Sequence, residues 1–109
     1  MKYNIEFYQD NKRNFPVVDF IESVSEQEKA KIVWVIDLLS LTGPNITMPH
    51  AKHIEKQLWE LRPKSIRILY LMHKNSFVLL HAFKKKTQKL PAHEKEIALK
   101  RMEIYLKRS

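Results

Sequence analysis

Three β-rich segments follow one another almost without pause in the second half of this chain: Gln57–Arg62, Ile66–His73 and Phe77–Lys84. Only Pro63-Lys64-Ser65 and Lys74-Asn75-Ser76 separate them, links of hairpin length and far too short for a crossover between parallel strands. The segments should therefore pair as an antiparallel meander, which needs another layer to bury its apolar face. Helices upstream and downstream supply that layer. Behind Pro16, Val17, Phe20, Ile21 and Val24 recur at i, i+3, i+4 and i+7, the apolar stripe of a short amphipathic helix. Ser25-Glu26-Gln27-Glu28 is a capping box that opens a second helix; its expected buried stripe is Ala30, Ile32, Val33, Ile36 and Leu39, and Gly43-Pro44 stops it. A last helix is expected from about Pro91, with Glu94 and Glu96 early and Lys100, Arg101 and Lys107 late, as the helix dipole favours. Its stripe is Ile97, Ala98, Met102, Tyr105 and Leu106. At the other end, Lys2–Tyr8 alternates Tyr3, Ile5 and Phe7 against Asn4, Glu6 and Tyr8 and reads as a strand, while Asn45–Glu55 reads as a loop. The order β-α-α-β-β-β-α predicts one α+β domain over residues 1–109, its helices covering one face of an antiparallel sheet.

A chain of 109 residues with 44% hydrophobic content can bury one modest core without staples. It has no cysteine, which removes disulfides, thiolate metal sites and thiol nucleophiles and suits a reducing compartment. No stretch approaches the roughly 18 apolar residues of a membrane span, and Met1-Lys2-Tyr3-Asn4-Ile5-Glu6 lacks an apolar signal core. A cytoplasmic protein with no membrane partner is expected. His50 and His53 share only an i, i+3 spacing with no third ligand near them, so neither a metal nor a cofactor is expected. Charge is more informative. The formal net charge is +8, but residues 1–55 carry six basic and eight acidic side chains whereas residues 56–109 carry fourteen and four. A basic field concentrated in one half attracts polyanions, and nucleic acid is the commonest of these in a cell.

Within the meander, period-two alternation puts Leu58, Glu60 and Arg62 on one face and Gln57, Trp59 and Leu61 on the other, so that Trp59 and Leu61 are core candidates. Arg67 shares its face with Leu69 and Leu71 and, with Arg62, flanks one turn. Two planar guanidiniums converging at a hairpin hold a phosphate bidentately; spacing alone equally permits a surface pair in which Arg62 bridges to Glu60. Lys84, Lys85, Lys86 and Lys89 add ammonium groups after the third segment. They form either a solvated patch that attracts phosphates or a cluster whose mutual repulsion primes one lysine for proton transfer. His81 has the parity of Phe83 and Lys85: it either faces the same site or is a satisfied, partly buried imidazole, the commoner state for such a residue. RNA is cut without a metal when its own 2′-hydroxyl attacks the adjacent phosphate. An enzyme then supplies a base for the hydroxyl proton, cations for the phosphorane and an acid for the leaving 5′-oxygen. Those types of group are present: Glu60 or a lysine as base, Arg62 and Arg67 as charge stabilisers, Lys85 or Lys86 as phosphate ligand or acid, and Lys84, Lys89 and His81 as further RNA contacts.

Leu58-Trp59-Glu60-Leu61-Arg62, Arg67-Ile68-Leu69-Tyr70, Leu79-Leu80-His81-Ala82-Phe83 and Lys85-Lys86-Thr87-Gln88-Lys89, with Pro91 after it, together resemble the phage-derived, HigB-like branch of the RelE toxin superfamily. The likeness covers the second half almost continuously, and the first half adds a compatible β-α-α layout. It implies a RelE-like fold and the toxin of a type II toxin-antitoxin system, an endoribonuclease that cleaves mRNA in the decoding site of the ribosome and so inhibits translation. It also implies neutralisation by an antitoxin encoded beside the toxin, a HigA-like helix-turn-helix protein. By this resemblance Arg67 matches the arginine of the family's R-x-x-Y strand, Arg62 the basic residue that ends the preceding strand, and Lys85 or Lys86 the basic position after the last strand. Tyr70 belongs to the same motif but has the opposite parity to Arg67, and is expected to pack in the core. Leu58 and Glu60 stand where better-known RelE members tend to carry lysines, and no tyrosine follows Lys86 where those members stack one on a base. Two competing expectations are a noncatalytic RNA- or ribosome-binding module, in which the same cations hold phosphates and nothing is cut, and a protein-interaction adaptor.

Overall fold

A computed structural model describes residues 2–108, which form β1 (Asn4–Phe7), α1 (Pro16–Ser23), α2 (Glu26–Thr42), β2 (Ala51–Glu55), β3 (Leu58–Leu61), β4 (Ile66–His73), β5 (Ser76–Lys84) and α3 (Ala92–Arg108), with a short 3-10 turn at Gly43–Asn45. Met1 and Ser109, the ends of the expected 1–109 domain, lie outside the described residues. The five strands make one sheet in the order β1-β5-β4-β3-β2. The meander is there: β3 pairs antiparallel with β4 from Leu58↔Leu71 to Leu61↔Ile68, and β4 with β5 from Ile66↔Lys84 to His73↔Ser76.

Two features of the sheet depart from expectation. Part of the expected loop is a strand, for β2 pairs antiparallel with β3, placing Ala51 opposite Leu61 and Lys52 opposite Glu60. Burial holds this edge strand, since Ala51 enters one core cluster and Ile54 packs against the other. Direction is the other departure. β1 runs parallel to β5, from Asn4↔Ser76 to Phe7↔Leu79, so the sheet is mixed. Both helices and the rest of the meander lie between these two strands in the chain, so no tight turn imposes an antiparallel pairing.

Helices cover both faces of the sheet, a correction to the expected single covered face. Val17 of α1 and Ile32, Val35 and Leu39 of α2 form one core with Leu61, Ile66, Ile68, Tyr70, Phe77 and Leu79. On the opposite face Ala98 of α3 joins Tyr8, Leu58, Leu69, Leu71, Val78, Leu80 and Phe83. The cause lies in β4 and β5, which are apolar at consecutive positions and therefore need cover on both sides.

The helices begin as their sequences direct. Ser25 Oγ accepts from the Glu28 amide at 3.2 Å, while the Ser25 amide donates to Glu28 Oε1 at 3.1 Å, closing the capping box. The buried stripe of α2 is Ile32, Val35 and Leu39, with Ile36 partly buried; Ala30 and Val33 face outward, contrary to expectation. Gly43 ends the helix at φ 57, and a Cβ there would stand 2.3 Å from the Tyr3 ring, so glycine serves both the turn and the close seat of β1. Along α3, the Tyr105 hydroxyl donates to Glu6 next to β5 and Lys95 pairs with Glu55 on β2. The helix thus reaches strands on both edges of the sheet. No helix among the described residues is long and apolar enough to cross a membrane.

Candidate functional site

The site takes shape on the α3 face of the sheet, and a bulge in β5 decides which side chains reach it. Counted by alternation from Phe77, which lies in the core under α1 and α2, residues 81, 83 and 85 would face that core too. Instead Leu69 pairs with His81 and Tyr70 with Leu79, leaving Leu80 as an extra residue on β5. Leu80 stays on the α3 face beside Val78, and the phase of every later residue is reversed: Phe83 joins the α3 core and Ala82 the other. Arg101 of α3 donates to the Leu80 carbonyl at 2.9 Å, which ties the bulge to the helix.

Register now sets Lys52, Glu60, Leu69 and His81 side by side on four neighbouring strands, and Arg67 beside Phe83. Glu60 is buried, 5% exposed, between two guanidiniums: its Oε1 lies 3.4 Å from Arg62 Nε and 3.9 Å from Arg67 Nε. Arg67 is as deeply buried, and its Nη1 donates to the carbonyls of Lys64 and Ile66, both at 2.8 Å, so the β3–β4 turn fixes the guanidinium. Burial above all, and then the charge of Arg62, hold Arg67 below the ordinary arginine pKa, against the opposing pull of Glu60. Arg62 Nε is buried near Glu60 without a hydrogen-bond partner, and its Nη1 rests 3.3 Å from Met48 Sδ. Two guanidiniums thus share one carboxylate. A further anion among them relieves the repulsion between the cations.

Beside this cluster Glu60, Arg67, Phe83, Lys85, Lys89 and Pro91 line a small cavity, together with Thr87, Gln88 and Leu90. The backbone amide of Lys85 donates to the Ser65 carbonyl at 2.8 Å, prolonging the β4–β5 ladder and bringing the lysine to the arginines. Five of the candidate residues, Glu60, Arg62, Arg67, Lys85 and Lys89, therefore meet. Three do not. Lys84 has the opposite phase and pairs at 3.4 Å with Glu28 of α2, on the far side of the sheet. Lys86 is exposed in the bend after β5 and does not line the cavity. His81 shares the site's face but lies one strand beyond Leu69, under α3, with Nε2 2.6 Å from Glu94 Oε1 and Nδ1 3.3 Å from Arg101 Nη1.

Burial lowers the His81 pKa more than Glu94 raises it, and Arg101 and His93 push the same way as burial. Arg101 donates to Nδ1, so the proton of the neutral ring sits on Nε2 and faces Glu94. Sequence reasoning missed Lys52, which is exposed and stands opposite Glu60 on the same face. It also left Thr87 and Gln88 out of the site. A signal for Lys52 exists in the alternation of Ala51, His53 against Lys52, Ile54, but only one strongly apolar residue supports it.

The arrangement combines the group types that phosphate recognition uses: guanidiniums at a strand turn, one of them fixed by backbone carbonyls, an ammonium group beside them and a carboxylate between them. No curated protein matches the chain. The family model that does match, Phage derived protein Gp49-like (DUF891), covers residues 19–103 and so spans α2, every strand of the meander and most of α3. On that match, which includes every residue of the cavity and its flanking arginines, the chain belongs to the phage-derived Gp49-like family, a family related to toxins of the RelE/HigB type.

Proposed function

We propose that this chain is the toxin of a type II toxin-antitoxin system, a ribosome-dependent endoribonuclease that acts on mRNA in the cytoplasm and is held inactive by a helix-turn-helix antitoxin. The observation that carries the reading is the convergence of four side chains: Glu60 on β3 lies between the guanidiniums of Arg62, just after that strand, and Arg67 on β4, and Lys85, just after β5, lines one small cavity with Glu60 and Arg67. In the proposed reaction Glu60 accepts the proton of the 2′-hydroxyl as that oxygen bonds to phosphorus. Arg62 and Arg67 bind the non-bridging oxygens of the crowded phosphorane. The bond from phosphorus to the 5′-oxygen then breaks, and Lys85 protonates the departing oxygen, leaving a 2′,3′-cyclic phosphate and a 5′-hydroxyl. Lys89 and Lys52 flank the site as contacts to neighbouring phosphates.

One observation favours the noncatalytic reading. Arg67 spends its Nη1 on two carbonyls of its own turn, as a residue that only shapes the hairpin would. Glu60→Gln separates the two readings, because it keeps the shape of the side chain and removes the base. Induced without a partner, the parental chain should create new mRNA 5′ ends, and Glu60→Gln should lower that cleavage about a hundredfold or more while still binding RNA. Parental rates in Glu60→Gln would remove Glu60 from the chemistry. No cleavage by the parental chain on translating ribosomes would leave the binding module.

A further inference from the structure

The described residues expose few large apolar side chains, and the one aromatic ring of indole size among them is Trp34 on α2, 52% exposed. It does not stand on bare surface. His50 meets it edge-on, with ring centroids 5.3 Å apart, and Lys31 Nζ lies 5.6 Å from the ring centre. These groups line a groove with Arg62, Pro63 and Lys64. Three of the lining side chains are cations, and no carboxylate is among them. A ligand that suits this groove is flat and aromatic and carries negative charge, which describes a nucleotide. Val35 and Pro63 are the apolar members of the lining; the remaining neighbours of the indole are ammonium, guanidinium and imidazole groups, which suit a charged, flat ligand better than the apolar face of a helix.

The groove also has a direction. Arg62 lines it and at the same time stands 3.4 Å from Glu60, so one guanidinium belongs to both the groove and the phosphodiester cluster. Pro63 and Lys64 continue the wall along the β3–β4 turn that fixes Arg67. We infer that Trp34 is the stacking platform of a second nucleotide subsite, which takes a base of single-stranded RNA next to the scissile phosphodiester, with Lys31, Lys64 and Arg62 holding its phosphates. This rests on the RNA reading given above and extends it to a particular base.

The test uses a dye-labelled RNA octanucleotide carrying 2′-O-methyl groups, which cannot be cut because no free 2′-hydroxyl remains. Anisotropy at low salt should show the parental chain binding it, and Trp34→Ala binding about tenfold more weakly with unchanged thermal unfolding. Trp34→Phe, which keeps a ring, should recover most of the loss. In a Trp59→Phe background Trp34 is the sole indole, and its fluorescence should be quenched along the same isotherm. Binding by the parental chain with a silent indole and an equally tight Trp34→Ala overturns the subsite alone. The same holds if Trp34→Ala keeps its RNA affinity and instead loses capture of the co-expressed antitoxin, since the face then belongs to a protein. Failure of the parental chain to bind the octanucleotide, free or on ribosomes, overturns the RNA reading with it.

Discussion

Tyr70 has no accessible surface, packs edge-on to Phe77 at 5.9 Å and keeps a hydroxyl for which there is no hydrogen-bond partner. Burial pushes the phenol well above its ordinary pKa, so the group is neutral and simply desolvated. Removing the oxygen should therefore help: Tyr70→Phe is expected to raise unfolding stability by about 1 kcal/mol, read as a higher urea midpoint at unchanged slope. A lower midpoint would show that the hydroxyl makes a bond after all. Parity in the sequence already assigned Tyr70 to the core and Arg67 to the opposite face, because a one-residue step in a strand reverses sides. What parity left open was the state of each group. Whether Glu60 is a solvated carboxylate bridging one arginine or a buried one shared by two depends on the segment after β5 closing over it.

Among the elements, α3 is held by polar contacts as well as by its apolar stripe. His81 sits between Glu94 and Arg101 of that helix, and its folded pKa lies below the ordinary histidine value of 6.5 because burial dominates. Between that lowered value and 6.5 the unfolded chain binds a proton that the folded chain does not, so stability rises with pH across the window. The contribution is complete above 6.5 and is lost as pH falls toward the folded value. His81→Gln is expected to be less stable near neutrality but to lose less on acidification from about pH 7 to about pH 5 in urea titrations. An unchanged acid limb in His81→Gln would place the proton elsewhere. The starts of α1 and α2 were legible because Pro16 and the Ser25 box act within one turn. β2 was not, since its turn is Lys56-Gln57, with lysine in left-handed backbone at φ 47 where a readable hairpin would carry asparagine or glycine.

Over the whole molecule, the charge imbalance between the halves of the chain becomes a spatial one. Exposed Asp19, Glu22, Glu26 and Asp37 lie on α1 and α2, whereas Lys85 and Lys89 line the cavity, Arg62 stands against its Glu60, and Lys52 lies opposite Glu60 on the neighbouring strand. RNA affinity should then fall steeply with salt, and Lys52→Ala should lower the slope of log affinity against log salt by about 0.7, the share of one single-strand phosphate. A slope identical to the parental one would remove Lys52 from the interface. The meander, the helix starts, the basic half and the face shared by Glu60, Arg62 and Arg67 could all be read off the residues, because each follows from contacts between near neighbours: alternation, caps and short turns. Long-range packing, in contrast, set β1 parallel to β5, put α3 on the second face and brought Lys85 rather than Lys84 to the arginines. The last of these comes from a single extra residue, Leu80, whose bulge is held by a helix some twenty positions later. No local pattern in β5 encodes a phase reversal that the packing of α3 enforces.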